Sequence, residues 1–184
     1  MSVASPKRTH VRLLLSIKTV SAFSDLKDDS SKVQAFCRKT ELVRHWADKL
    51  SAEDPALYAK EKEAVESSLA MAASVLEGWC RRLVDRAMAT RSQTSRTANL
   101  GRALYHINHY VVPWLIAANK KDSVVNMVSF AVNGLVVEHF PIGRPDAHNA
   151  SFYRRQFIEA ASYADAWGVP YNSRKLGQLV DSYS

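Results

Sequence analysis

Helical spacing constrains this chain more than any other feature. Leu69, Ala72, Leu76, Trp79 and Leu83 alternate three and four residues apart, the interval that stacks side chains on one face of an α-helix. Val33, Phe36, Val43, Ala47 and Leu50 recur at steps of three, four and seven. Leu100, Leu104, Ile107 and Val111 follow the same steps, as do Tyr153, Phe157, Ala160, Ala164 and Trp167. The breaks between these runs have local causes. In SAEDP, Ser51 or Asp54 can cap and Pro55 can occupy a first turn. The Ser/Thr-rich linker over 90–97 offers hydroxyls that compete for backbone hydrogen bonds, so a helix runs out near Arg91 and the next starts near Thr97. Pro113 must kink or end that helix. Asp122 is placed to cap the next element, PIGRP stops it, a helix follows from Asp146, and Gly168 with Pro170 closes that one. SVVNMVSFAVNGLVVEHF is apolar nearly all round and reads as the central helix of the core, with LVVEHF also compatible with a strand. VRLLLSIKTV fits period two and period 3.6 equally.

The resulting expectation is an all-α, single-domain bundle of five to six helices. A basic N-terminal arm or first element covers 1–24, a helical core domain 25–170, and a short C-terminal helix or tail 171–184. A chain of 184 residues, 47% hydrophobic and 23% charged, can bury a full core without disulfide or metal staples. Cys37 and Cys80 are too few and too far apart for a CxxC site, which points to a reducing, cytoplasmic compartment or a virion. The longest apolar segment, 123–140, contains Asn126, Ser129, Asn133 and Glu138 and is short for a bilayer span, so no membrane insertion is expected.

Net charge is +7, which favours partners rich in phosphate. The excess is local. CRRLVDRAMATRSQTSRTANLGR, residues 80–102, holds six arginines, no lysine and one acid. Glu77, Arg81 and Asp85 fall at four-residue steps and read as a salt-bridge ladder. Arg82 and Arg86 form a second row with charge to spare; Arg91 and Arg96 flank SQTS, and Arg102 follows. Flat, multi-donor guanidinium groups beside hydroxyls suit phosphate and sugar oxygens. Arg154 and Arg155 supply a second contact, with Phe152 and Tyr153 beside them for base stacking. No helix-turn-helix, RRM, KH or zinc-finger pattern is present, so the expected partner is single-stranded RNA, bound along its backbone without catalysis. The expectation carries one structural condition: the guanidinium groups must lack carboxylate neighbours in the folded chain.

In composition and element order the chain resembles a coat or nucleocapsid protein of a filamentous RNA virus. That resemblance implies self-assembly into a homo-oligomer, each subunit covering a few nucleotides. A second pattern lies in RALYHINH, residues 102–109, where Arg102, His106 and His109 fall within about 60° of one helical face. Arg102, six intervening residues and His109 resemble the RX4-6H motif of HEPN ribonuclease domains. By that resemblance Arg102 stabilises a phosphorane and His109 moves a proton at the RNA 2′-hydroxyl. A third expectation is a protein-interaction module with a basic face. No residue pattern points to a cofactor, and no carboxylate or cysteine near His106 and His109 completes a metal site.

Overall fold

The structure, a computed structural model, describes residues 5–23, 26, 30–143 and 147–184. Among these residues every regular element is helical. Eight α-helical segments follow in order: α1 Pro6–Ala22, α2 Ser30–Glu53, α3 Pro55–Ala89, α4 Gln93–His106, α5 Val112–Ala117, α6 Lys121–Ala131, α7 Ala150–Ala166 and α8 Ser173–Ser182. A π-helical turn, Ile107–Val111, joins α4 to α5 in one rod, and a second, Val132–Val137, extends α6. The described chain therefore forms seven helices rather than five to six.

The additional helix is VRLLLSIKTV, which belongs to α1 and is not an arm. Its inner face buries Thr9, Leu13 and Val20, at steps of four and seven, a pattern that only the 3.6-residue period puts on one side. Residues 1–4 and 24 of the expected arm lie outside the described residues, as do Arg144 and Pro145 of PIGRP and the expected helix start at Asp146. Contacts divide the chain into two compact units, residues 1–76 and 77–184, with the boundary inside α3.

In the first unit α1 runs antiparallel to α2. Thr9 donates to Glu53 Oε2 at 2.6 Å, the Arg12 guanidinium lies 4.7 Å from the Trp46 ring, and Lys39 Nζ lies 3.5 Å from the Phe23 ring. Leu13, Val20, Val33, Phe36, Val43 and Leu50 are buried in this unit. The α2–α3 break forms as its sequence dictates. Pro55 opens α3, and Asp54 Oδ1 accepts the Leu57 N–H at 2.9 Å.

The second unit is built on aromatic packing. Phe140, Tyr153, Phe157 and Tyr183 meet edge-on or tilted at centroid separations of 4.8–6.4 Å. Burial, followed by the proximity of Tyr153, pushes the Tyr183 phenol up to about 12. Of the two outcomes expected at Pro113, a kink or an end, the helix does not end there. The wider π turn ahead of it carries the ladder past the missing amide by reaching one residue further back, as in the Val112 N–H bond to Ile107 O. LVVEHF is helical and not a strand, its first half lying in the second π turn. On the same helix Asn133 Nδ2 donates to Pro170 O at 2.9 Å. Gly168 adopts φ +64, the left-handed conformation that ends α7. No described helix is long and apolar enough to cross a membrane.

Candidate nucleic-acid interface

The α3–α4 connector is three residues long, shorter than its composition suggests. α3 ends at Ala89, and Ser92 caps α4, its side chain accepting the Ser95 N–H at 3.4 Å. Gln93 to Thr97 are therefore helical, and Thr97 is buried with its hydroxyl donating to Gln93 O at 3.0 Å. Competition from hydroxyls, expected to unravel this stretch, is resolved by turning Ser92 into a cap.

Arg96 holds the connector shut. Its Nε and Nη2 both donate to Thr90 O, at 3.0 and 2.9 Å, so the guanidinium closes the C-terminal end of α3. Asn99 Nδ2 adds a 3.4 Å contact to Thr90 Oγ1. Beyond the connector, the Trp79 ring of α3 meets the His106 ring of α4 edge-on at a centroid separation of 5.6 Å. Arg91 lies in the connector itself. Arg82, Arg86, Arg91 and Arg102 are all exposed.

Among the described residues no carboxylate lies within 4.0 Å of the guanidinium of Arg82, Arg91, Arg102, Arg154 or Arg155. The expected ladder of Glu77, Arg81 and Asp85 does not close at that distance either. Arg81 instead stacks over Phe130, 4.8 Å from the ring centroid.

On α7, Arg154 faces elsewhere. Gly101 of α4 sits against the Tyr153 ring and beside Phe152, Asn108 bonds to Gln156, and His109 meets Glu159, so Phe152, Gln156 and Glu159 line the face of α7 that meets α4. Arg154 lies roughly 160° away from Gln156 on that helix. With Arg155 it lines a cleft of about 640 Å³ that also includes Ala150, Ser151, Tyr183 and Ser184. Tyr153 is buried in the aromatic core and has no face left for a base, whereas Phe152 is half-buried beside Tyr105.

The histidines diverge at the π turn. His106 turns toward α3, edge-on to Trp79, with its Nδ1 buried and unpartnered. Burial first, then the positive charges of Arg102 and His109, hold its imidazole below the usual value, and it is neutral near pH 7. His109 turns toward α7, with Nε2 3.3 Å from Glu159 Oε2 and 3.5 Å from Gln156 Nε2. Asn108 between them is buried, and its Nδ2 donates to both Gln156 O and Gln156 Oε1, at 3.1 and 3.2 Å. A regular helix would have kept the two histidines on one face, and nothing in the sequence announces the extra residue in the turn. Glu159 and Gln156 were missed for the same reason: their partner on α4 depends on that turn. Among the described residues no group of three or more His, Cys, Asp or Glu side chains is placed to hold a metal ion. No family model matches the chain, and no curated protein and no solved structure is significantly similar to it.

Proposed function

We propose that the α3–α4 hairpin binds the phosphate backbone of nucleic acid, single-stranded RNA in preference, without catalysing its cleavage. The observation that carries this reading is that Arg82, Arg91 and Arg102, on α3, the connector and α4, are exposed with no carboxylate within 4.0 Å among the described residues. Unpaired guanidinium groups retain their full hydrogen-bonding capacity and can engage phosphate bidentately. Arg96 is assigned a positioning role, because its fork already grips Thr90 O. Arg154 and Arg155 form a separate basic lip that a strand leaving the hairpin would use. Self-assembly along the RNA, as the coat-protein resemblance implies, belongs to the same proposal and predicts regular particles under negative stain.

Retention of a labelled single-stranded RNA by native gel tests the reading. Three phosphate contacts are worth about 100-fold in affinity near 0.1 M salt, so the Arg82→Ala/Arg91→Ala/Arg102→Ala variant should bind about 100-fold more weakly. Equal retention of the variant and the unaltered protein would overturn it.

A second reading has its own support. The contact between His109 and Glu159 is the arrangement that orients an imidazole for proton transfer, and Arg102 with His109 satisfies the ribonuclease motif. This reading predicts metal-independent cleavage of RNA in EDTA, abolished in His109→Ala. RNA that stays intact through prolonged incubation with micromolar protein rejects it.

A further inference from the structure

The outer face of α1 carries a different chemistry. Val11, Leu14 and Leu15 are 54%, 42% and 59% exposed, unusual for aliphatic side chains so close together on a helix with a buried opposite face. At 100° per residue these three share a sector of about 100° with Lys7 and Lys18, and Arg8 and Arg12 continue its edge. All four cationic side chains are exposed. The helix itself contains no acid. Among the described residues, the carboxylates that reach it, Glu53 at Thr9 and Glu61 at His10, come from α2 and α3 to its other sides and leave the outer face cationic and aliphatic. On α2, Leu42 is 49% exposed one turn before Trp46, whose ring lies under Arg12, so the aliphatic surface continues next to that edge.

We propose that this face docks on an anionic lipid surface, with Val11, Leu14 and Leu15 entering the acyl boundary and Lys7, Arg8, Arg12 and Lys18 reaching the headgroups. The face is convex, and a fluid bilayer closes around a convex helix without needing a complementary groove. Long cationic side chains flanking aliphatic ones can extend to the headgroup level while the aliphatic groups sink below it. Charge complementarity selects anionic over zwitterionic lipid. An RNA strand fits this face poorly, because three exposed aliphatic groups interrupt the cations and leave phosphates unsolvated. The 17-residue helix lies in the interface plane and does not span.

Flotation of the nuclease-treated, RNA-free protein with vesicles tests the proposal. The protein should float with phosphatidylcholine vesicles containing about 30% phosphatidylserine and stay at the bottom with pure phosphatidylcholine. Val11→Ser/Leu14→Ser/Leu15→Ser should reduce flotation at least 10-fold with helix content unchanged by circular dichroism, since no substituted side chain is buried. Lys7→Gln/Lys18→Gln, which cannot disturb the core, should reduce it as well. Failure of the unaltered protein to float, equal flotation of the serine variant, or loss of RNA retention in that variant without any vesicle binding in the parent would each overturn the proposal.

Discussion

Two basic surfaces on this chain look alike in a charge count and differ in what separates the charges. On the outer face of α1, Lys7, Arg8, Arg12 and Lys18 alternate with exposed Val11, Leu14 and Leu15. Along the α3–α4 hairpin, Arg82, Arg91 and Arg102 are accompanied by hydroxyls and amides, and none of the large exposed aliphatic side chains lies between residues 80 and 102. The first surface pairs cations with something that wants to leave water; the second pairs them with hydrogen-bonding groups. Net charge alone suggests a polyanion in both cases, and the intervening side chains decide which kind.

Reversing charge at the hairpin breaks the comparison most severely. Arg82→Glu/Arg91→Glu/Arg102→Glu should abolish RNA retention at every salt concentration tried, a loss beyond about 100-fold, while vesicle flotation through α1 stays within twofold. Gly101→Ala comes next. Its Cβ would stand 2.3 Å from Tyr153 Cε1, a carbon of a ring held between α4 and the aromatic core, so the variant should lose about 2 kcal/mol of stability in urea unfolding. Arg96→Ala should cost about 1 kcal/mol through the two lost bonds to Thr90 O, and its RNA affinity should fall less than threefold. That result would separate the arginine that shapes the hairpin from those proposed to contact RNA.

The smallest effect is a pH dependence. His106 has its folded-state pKa below the unfolded value of about 6.5, so the unfolded chain binds the proton more readily. The corresponding stability is present above pH 6.5 and is lost as pH falls through the folded value. Melting temperature should drop on acidification from pH 7, and His106→Phe should flatten the drop. The Cys37 thiol, pushed up to about 12 by burial and by Glu41, should stay inert to thiol reagents at pH 8 until the protein unfolds.

Much of the helical layout was legible because local physics decides it. Pro55 with Asp54, Gly168, and the periodic apolar faces of α2, α3 and α7 all act within one or two turns of chain. The sequence left choices open where distant packing decides between local options. VRLLLSIKTV became a helix because its inner face covers α2, and Pro113 stayed inside a helix because a π turn absorbed it. The candidate site divides the same way. An arginine cluster is visible in sequence, yet the capture of Arg96 by Thr90 O and the turning of His109 toward Glu159 depend on backbone geometry that no spacing rule encodes.

The salt dependence of RNA affinity tests the central claim most directly. Plotting log Kd against log salt between 50 and 200 mM, the account predicts a slope about 2 units shallower in the Arg82→Ala/Arg91→Ala/Arg102→Ala variant than in the unaltered protein, since each single-strand phosphate contact contributes about 0.7. Two parallel lines would show that these three guanidinium groups meet no phosphate, and would contradict it.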